Sequence, residues 1–445
     1  MSTPAPSQQV QDRSVARKAV RGASLGFAID CYDIYLPIIA LAPAIAYFLP
    51  PNTSLADFAL INGLIFAATL LGRPLGAVMF GNIADRSGRK KATVIAMFGS
   101  GIGTLIMATI PGYEHIGLGA ISSIIVLRFL TGIFLGGQYT GAVPLAMESA
   151  GPQKRGLYGG LISMGFPIAF CVVSAITYII LTLSGPSDGS TDDFYHQWGW
   201  RIPFLIGAIA TLSFTLYYHQ TVVEKARNPV VKTEQKSPFI QLFSGENSRS
   251  LRQVFILMTG VWLLSNATSA SFPGTLRSLE SMGNTRATLL IVLYQIALII
   301  IYPLAGALSQ KVGRRTFFII TGILGMVAAP IIYTIIISGS LESNVSYLIL
   351  TIALVTCSIC TFGCTGSYLS ERFPASVRSS GYGVAYSVAI IIPAFYNIYE
   401  NWLSAFMPLQ YTTITLYVVG GLLVTIGAIL GPETRHIDLR EDRYQ

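Results

Sequence analysis

Apolar windows of about 20 residues recur along nearly the whole of this 445-residue chain. A helix needs about 20 apolar residues to cross a hydrocarbon core of about 30 Å. Because lipid offers the backbone no hydrogen-bond partners, such windows must be helical. We count twelve windows, at 22–48, 58–80, 92–110, 118–147, 157–183, 201–219, 253–274, 287–309, 316–338, 346–369, 381–405 and 411–431. The sequence therefore predicts an all-α membrane protein with twelve transmembrane helices.

The composition agrees with a multi-pass membrane protein, because 52% of the residues are hydrophobic and only 11% are charged. The net charge of +8 does not indicate nucleic-acid binding, since the basic residues lie in short loops on one side of the predicted helices. Lysine and arginine favour cytoplasmic loops. We therefore predict a plasma-membrane or inner-membrane protein with both termini in the cytoplasm. The residues that set this orientation are Arg13, Arg17, Lys18, Arg21, Arg86, Arg89, Lys90, Lys91, Lys154, Arg155, Lys311, Arg314 and Arg315.

An enzyme embedded in the membrane would need a buried nucleophile or a metal cluster. The four histidines are scattered over loops and span ends at His115, His196, His219 and His436. No signal peptide is evident, because the first 20 residues are polar and the first apolar run is too long. We expect no enzymatic activity, no metal and no cofactor. The predicted partners are a small-molecule substrate, protons and the lipid bilayer, and we expect a monomer.

One loop pattern occurs twice. Residues 81–90 and 306–315 have similar sequences, and a glutamate precedes an arginine by seven residues in both Glu148/Arg155 and Glu371/Arg378. Two matches at nearly the same offset predict two pseudo-symmetric six-helix bundles, 1–220 and 253–445, joined by a cytoplasmic linker at 221–252. We expect the loop charges to latch the bundles together when the cavity faces outward. The predicted gating residues are Asp85, Arg86, Arg89, Glu148, Arg155, Glu371 and Arg378.

Four charged residues fall inside the predicted spans of the first half and away from the span ends, namely Asp30, Asp33, Arg73 and Arg128. A charge at the bilayer centre costs roughly 2.5 to 3.5 kcal/mol, so such residues are retained mainly where they face water, each other or cargo. We expect no charge inside the spans of the second half, with Glu400 at the membrane interface. The four charges are therefore the candidate functional site.

Asp33 and Arg128 are predicted to lie at similar depths, each about 15 Å from the nearer end of its helix. Burial favours a protonated acid, whereas a nearby cation favours a carboxylate. We hypothesise that an anionic substrate competes with Asp33 for Arg128 and frees Asp33 to take up a proton. Asp30 lies three residues from Asp33 and shares roughly one helix face with it. The alternative is a static structural ion pair.

Arg73 is either a second cation for substrate or a partner of Asp30, or else it snorkels or caps the carbonyls freed by Pro74. The polar residues of the spans are candidates for hydrogen bonding to a carboxylate or hydroxyl. The predicted substrate-binding residues are Arg128, Arg73, Tyr32, Gln138, Asn266, Tyr368 and Asn397.

The loop at 81–91 resembles the signature of the major facilitator superfamily, and Arg128-Phe129-Leu130-Thr131-Gly132 resembles its fourth-helix arginine motif. Within it, the chain resembles the metabolite:proton symporter family, which carries organic acids and zwitterionic osmolytes. The resemblance implies that the first-helix acid and the fourth-helix arginine face a central cavity. The second signature has Gln310 where the first has Asp85, so we expect a weaker latch there. Four segments carry the narrower resemblance: 29–33, 72–77, 200–204 and 370–374.

These observations together predict a proton-coupled symporter of a small organic anion, such as a mono- or dicarboxylate, working by alternating access. Symport of a zwitterionic osmolyte or of a sugar is the alternative. The acid-and-proline signature of sugar porters is replaced after the sixth span by residues 222–226. A non-transporting receptor of the same fold is a further alternative.

Overall fold

The computed structural model describes residues 6–51, 53, 55–184, 194–222, 238–279, 283–341 and 343–439. Each of the twelve predicted spans corresponds to a helix, and we number these helices in chain order. Their bounds are α1 (Ala16–Phe48), α2 (Leu55–Ser87), α3 (Arg89–Met107), α4 (Gly119–Ser149), α5 (Pro152–Leu183), α6 (Tyr195–Thr221), α7 (Gly245–Leu276), α8 (Gly283–Val312), α9 (Arg314–Ile337), α10 (Asn344–Arg372), α11 (Arg378–Leu403) and α12 (Leu409–Ile429).

Eleven of these helices are long and apolar enough to cross a membrane. The exception is α3, because Lys90 and Lys91 in its first turn lower the mean hydropathy of its 19 residues. The twelve-helix prediction is confirmed for the part of the chain that the structure describes. Residues 223–237, about half of the predicted linker, lie outside that part. Helix α7 begins at Gly245, before residue 252, where the predicted linker ends.

The sequence repeat is also a structural repeat. Gly88, between α2 and α3, has φ of 102°, and Gly313, between α8 and α9, has φ of 103°. Only glycine adopts such angles without strain, so both signature loops make the same sharp turn. We call α1–α6 the N-half and α7–α12 the C-half. The face that carries these two loops is called the basic face.

Glycines allow α2 and α4 to approach each other closely. A methyl group on Gly76 would overlap the backbone carbonyl of Ile133, and one on Gly136 would overlap the carbonyl of Arg73. Small residues at such contacts favour tight helix packing in membranes. This packing fixes the two helices that carry Arg73 and Arg128. The N-half charges therefore sit on a rigid frame.

Several helices are interrupted within their spans. Helix α1 changes from α-helical to π-helical geometry at Pro37, and α7 contains a π turn over Ala267–Ser271. Proline has no N–H, so it breaks the ladder of intrahelical hydrogen bonds. In α11, the short helix Ile391–Ala394 separates two longer segments. These breaks leave backbone carbonyls free to bind side chains from other helices.

Candidate functional site

Asp33 and Arg128 meet at the centre of the N-half. Arg128 Nη1 donates to the Asp33 backbone carbonyl at 2.9 Å and lies 3.3 Å from Asp33 Oδ2. The carbonyl is available because Pro37, four residues later, has no N–H to bond it. Thr104 Oγ1 of α3 donates to Asp33 Oδ1 at 2.6 Å. The break in α1 thus adds a backbone acceptor to the carboxylate of the same residue, and Arg128 binds both.

Arg128 is fully buried and has donors to spare. Its Nε and Nη2 have no hydrogen-bond partner, and its guanidinium lies 5.3 Å from the centroid of the Phe204 ring. A buried donor left unsatisfied costs about 1 to 3 kcal/mol, and more when it is charged. A static ion pair would not need to leave two such donors open. Both nitrogens are hydrogen-bond donors that the contact with Asp33 leaves unused.

Asp30 and Arg73 form a second, looser pair. Asp30 is 1% exposed, and neither of its carboxylate oxygens has a hydrogen-bond partner. The charge of Arg73 acts on Asp30 without a hydrogen bond. Arg73 is itself buried, with its guanidinium 5.9 Å from the Tyr386 ring of α11. Arg73 therefore does not snorkel to the interface, and it points toward the C-half.

The two other predicted substrate-binding residues of the N-half, Gln138 and Tyr32, lie in different surroundings. Gln138 lies beside Asp30 in a narrow cleft between α1, α3, α4 and α6. Its Oε1 has no partner, and its Nε2 lies 3.5 Å from the Gly26 carbonyl. The Tyr32 hydroxyl instead donates to the Pro203 carbonyl at 3.0 Å. Gln138 therefore joins the site, whereas Tyr32 packs α1 against α6.

The structure does not bring the three predicted C-half residues to the N-half charges. Asn266 Nδ2 donates to the Pro393 carbonyl at 2.6 Å and so ties α7 to α11. Tyr368 Oη donates to Gln253 Oε1 at 3.4 Å, between α10 and α7. Asn397 is exposed near the end of α11. The first two residues stabilise contacts inside the C-half, and their role in substrate binding stays a prediction.

Glu400, which sequence analysis expected at the membrane interface, is buried among side chains of the C-half. It is 7% exposed, and its Oε1 lies 2.7 Å from Ser271 Oγ and 2.8 Å from Thr413 Oγ1. Sequence analysis placed Glu400 at the interface because it lies near the end of its span. Hydroxyl groups from α7 and α12 instead enclose it within the bundle.

Two further residues of the site carry weak signals in the sequence. Thr104 is one threonine among many, and nothing in its neighbours indicates that it binds Asp33. Phe204 lies in the segment 200–204, which carries the narrower resemblance, but its position over Arg128 depends on how α6 packs. The spacing of Asp33 and Pro37 does indicate a free carbonyl.

The basic face is closed by a helix cap that crosses between the halves. Asp85 Oδ1 accepts the backbone N–H of Ser379, and Oδ2 accepts both the N–H of Ser380 at 2.9 Å and its hydroxyl at 2.7 Å. The first backbone N–H groups of a helix lack partners within the helix and favour negative charge. Val377, which precedes α11, provides no side-chain cap. Asp85 of the N-half therefore caps a helix of the C-half.

Two ion-pair clusters flank this cap. Glu148 binds Arg89 of its own half and Arg378 of the other half. Glu371 binds Arg314 of its own half at 3.3 Å and Arg155 of the other half at 3.5 Å. Each glutamate thus also binds an arginine of the other half, and not the arginine seven residues after it in its own half. The reason is that Arg155, near the start of α5, and Arg378, at the start of α11, lie where these helices pack against the opposite half.

The second signature makes a weaker copy of the cap. Gln310 Oε1 accepts the backbone N–H of Gly156, at the start of the α5 helical segment, at 3.3 Å. This single contact replaces the three made by Asp85. Arg86 is exposed and lies apart from the network that the structure describes. Of the seven predicted gating residues, six therefore make contacts between the halves or within these clusters.

Residues 433–439, which we call the C-terminal strap, add to the closure. Glu433 accepts the backbone N–H groups of Arg314 and Arg315 at the start of α9. Partial burial acts to raise the pKa of Glu433, but hydrogen bonds from four backbone amides outweigh it and hold the pKa below its usual range. Thr434 donates to Glu371 at 2.7 Å, and Arg155 donates to the Ile437 carbonyl at 2.8 Å. The strap therefore joins both halves.

Aromatic side chains form a second closed layer between the basic face and the charges. The Tyr139 ring of α4 lies 4.6 Å from the Tyr386 ring and 5.4 Å from the Tyr382 ring of α11. Tyr386 also lies below the Arg73 guanidinium. Two layers thus separate the buried charges from the basic face.

The comparisons with known proteins agree with this architecture. The family model of the Major Facilitator Superfamily matches residues 23–388. The chain belongs to the major facilitator superfamily. It is 31% identical to the inner membrane metabolite transport protein YhjE of Escherichia coli K12, over 95% of this chain and 96% of that protein. It is therefore a multi-pass membrane protein of the metabolite transporters in this superfamily.

Other relatives carry names that differ in substrate. The chain is 28% identical to the alpha-ketoglutarate permease of Escherichia coli K12 over 83% of each protein. It is 26% identical to the proline/betaine transporter of the same strain, over 92% of this chain and 82% of that protein. A solved structure of the proton:xylose symporter XylE has a TM-score of 0.71 at 18% identity, covers 95% of this chain and 97% of that one, and shows the shared fold.

Proposed function

We propose that this protein is a proton-coupled symporter that carries a small organic anion, such as a mono- or dicarboxylate, by alternating access. The observation that carries the proposal is the Arg128 guanidinium, which binds Asp33 through one nitrogen and leaves Nε and Nη2 unpartnered. A guanidinium presents several donors in a fixed planar arrangement that suits a carboxylate. An incoming carboxylate can therefore take the open donors.

Competition for Arg128 supplies the coupling. When a substrate carboxylate binds Arg128, Asp33 loses the cation that offsets its charge. A buried carboxylate without a cation is costly, so Asp33 takes up a proton. Once the substrate leaves, Arg128 returns to Asp33 and the proton is released. Substrate and proton therefore bind and leave together.

The charge balance of the site limits the cargo. Asp30 and Asp33 offset Arg73 and Arg128, so the four side chains carry no net charge when all are ionised. A multivalent anion would leave uncompensated charge in a buried site. A monocarboxylate or a compact dicarboxylate, accompanied by protons, keeps the site near neutral. This charge balance favours small acids over large polyanions as the cargo.

The closed basic face supports a proposal for the side of the membrane from which the cargo reaches the site. We propose that this face is cytoplasmic, as its lysines and arginines favour. The Asp85 cap and the Glu148 and Glu371 clusters then close the cytoplasmic side, and cargo enters from outside. Release requires these contacts to break, so their strength sets the balance between the two packings of the halves.

A zwitterionic osmolyte is the second candidate, and a specific observation favours it. Asp30 has two unpartnered oxygens close to the charge of Arg73, so an acid and a base are both available to opposite ends of one molecule. The names of the proline/betaine relatives agree with this alternative. A cationic end would then lie near Asp30 and a carboxylate near an arginine.

Uptake by purified protein in proteoliposomes tests the proposal. Radiolabelled α-ketoglutarate and betaine are offered with and without an inwardly directed proton gradient. We expect gradient-stimulated accumulation of one of them in the wild type, and loss of the stimulation in Asp33→Asn. Arg86→Gln, which alters an exposed residue, is the matched control and should keep it. Accumulation that is equally stimulated in Asp33→Asn would overturn the coupling mechanism.

A further inference from the structure

The C-half holds a buried acid for which the proposed transport cycle has no use. We propose that Glu400, Ser271 and Thr413 form a second proton-binding site, separate from Asp33 and Arg128. Three helices contribute: α11 provides the acid, and α7 and α12 provide the hydroxyl groups. The ligand is a proton taken from the face opposite the basic face. This proposal goes beyond substrate coupling and does not depend on it.

The main evidence for this site is the number of hydrogens available for the contacts among its three oxygens. Three short contacts join the three oxygens: Ser271 Oγ to Glu400 Oε1 at 2.7 Å, Thr413 Oγ1 to Glu400 Oε1 at 2.8 Å, and Ser271 Oγ to Thr413 Oγ1 at 2.8 Å. Each contact needs one hydrogen between its two oxygens. The two hydroxyl groups have two hydrogens, and an ionised carboxylate has none. A proton on Glu400 Oε1 supplies the third and completes a ring in which every oxygen donates once and accepts once.

Among the side chains that the structure describes, none that acts on Glu400 carries a charge that could replace that proton. The titratable side chains that act on Glu400 are Tyr333 of α9, Tyr396 of α11 and Tyr417 of α12. Tyrosines are neutral at ordinary pH because they ionise near pH 10. Among the side chains that the structure describes, α7 contributes hydroxyl groups to this site, and no lysine, arginine or histidine forms an ion pair with Glu400. An ionised Glu400 would be buried without a cation.

Tyr333 does not supply the missing hydrogen. Its hydroxyl donates to the Gln410 carbonyl at 2.8 Å or to Thr275 Oγ1 at 3.2 Å. The Thr275 hydroxyl in turn reaches the Ser271 carbonyl at 3.4 Å. Tyr333 is also within hydrogen-bonding reach of Thr413, but that is a further contact, and the three contacts among Ser271, Thr413 and Glu400 still have only two hydroxyl hydrogens between them. The extra hydrogen must therefore belong to Glu400.

The site is close to the face opposite the basic face. Glu400 lies three residues before the last residue of α11, which is about 5 Å along the helix. Ser271 closes the π turn of α7, and such turns are frequent at functional sites. A proton on Glu400 thus ties the outer part of α7 to α11 and α12. Loss of the proton removes one bond of the ring and loosens this part of the C-half.

Infrared difference spectroscopy of the purified protein in nanodiscs tests the site without any substrate. Raising the pH should abolish the C=O stretching band of a protonated carboxylic acid in the wild type. We expect this band to be missing in Glu400→Gln and present in Asp33→Asn. Because no transport is measured, failure of this proposal is distinct from failure of the symport mechanism.

Two hydroxyl variants on α12 provide a matched pair. Thr413→Val removes a member of the ring, whereas Thr412→Val removes a buried hydroxyl that donates to the Leu409 carbonyl of its own helix at 2.7 Å. We expect Thr413→Val to shift the frequency of the band and Thr412→Val to leave it as in the wild type. The same band in Glu400→Gln as in the wild type would refute the site. If Glu400→Gln does not fold, equal spectra of the two threonine variants would refute it.

Discussion

Arg128 does two things that a lysine cannot do together. One of its nitrogens holds both the carbonyl and the carboxylate of Asp33, while Nε and Nη2 remain open. An ammonium group is a compact point charge without a planar arrangement of donors. An ammonium group can bind Asp33 or a substrate carboxylate, but it cannot exchange its hydrogen bonds stepwise from one to the other. The proposed competition therefore requires a guanidinium.

We expect Arg128→Lys to reduce gradient-driven uptake at low substrate concentration by about tenfold or more. The reason is that losing one charge-assisted hydrogen bond costs about 1.5 to 3 kcal/mol, and about 1.4 kcal/mol corresponds to a factor of ten. The measurement is initial uptake in proteoliposomes, with Arg86→Lys as the control. Uptake by Arg128→Lys at the wild-type rate would contradict this role.

At the scale of single residues, sequence reasoning identified the charged residues, which are costly to bury in a membrane. It missed a hydroxyl residue, because such residues are common on helices. Asp30, Asp33, Arg73 and Arg128 stand out because a charge in the membrane must have a reason to be there. Thr104 does not stand out, because a hydroxyl on a helix usually bonds its own backbone. The burial of Glu400 was not foreseen, because distance from a helix end does not show which neighbours enclose a side chain.

At the scale of helices, the contact between α2 and α4 shows how small residues position the charges. A methyl group on Gly76 meets the backbone of Ile133, which cannot move aside as a side chain would. We expect Gly76→Ala to lower the free energy of unfolding by about 1 to 3 kcal/mol, the usual cost of overpacking. Thermal unfolding in detergent measures it.

The same helix offers a matched control. Gly63 also lies in α2, but a methyl group there has nothing within 4 Å. Gly63→Ala should leave the melting temperature unchanged or raise it, because alanine favours helix by about 0.5 to 1 kcal/mol over glycine. Equal destabilisation by the two substitutions would show that the close approach of α2 and α4 is not the cause.

The cap between the halves makes a second prediction at this scale. In Asp85→Asn the cap loses its negative charge and one of its two acceptor oxygens. Losing a cap costs about 0.5 to 2 kcal/mol, so the amides of Ser379 and Ser380 should exchange hydrogen about 2 to 30 times faster. Hydrogen exchange read by mass spectrometry measures this, with Arg86→Gln as the control. Unchanged exchange in Asp85→Asn would mean that other contacts hold the basic face closed.

The sequence predicted where helices lie more accurately than how the halves join. Apolar length identified all twelve helices, because the membrane imposes that length. Sequence spacing relates Glu148 to Arg155 and Glu371 to Arg378, because spacing shows only neighbours along the chain. The partners of the two glutamates in the other half, Arg378 and Arg155, depend on two bundles facing each other across an interface. Spacing alone does not contain that arrangement.

At the scale of the whole molecule, the closed basic face contains two pseudo-symmetric sets of contacts of unequal strength, one around Asp85 and one around Gln310. Asp85 makes three hydrogen bonds to the other half where Gln310 makes one, and the C-terminal strap adds Glu433 and Thr434 on the weaker side. The strap thus compensates for the missing acid of the second signature. Both sides of the interface must open for release at this face.

The strap makes this closure sensitive to acid. Because the pKa of Glu433 is lowered in the folded protein, its contribution to stability is present above the ordinary glutamate range of about 4.3 and is lost as the pH falls through and below that range. We expect the melting temperature to fall less steeply between about pH 5 and pH 3 in Glu433→Gln than in the wild type. Identical pH profiles for the two proteins would contradict a stabilising role for the carboxylate.

The most direct measurement of the central claim is the number of protons taken up when substrate binds. Titration calorimetry in buffers with different heats of ionisation gives this number for purified protein, with the carboxylate or betaine that supports uptake. If Arg128 passes from Asp33 to the substrate, binding to the wild type takes up protons and binding to Asp33→Asn does not. Equal proton uptake in both proteins would contradict the exchange at Arg128.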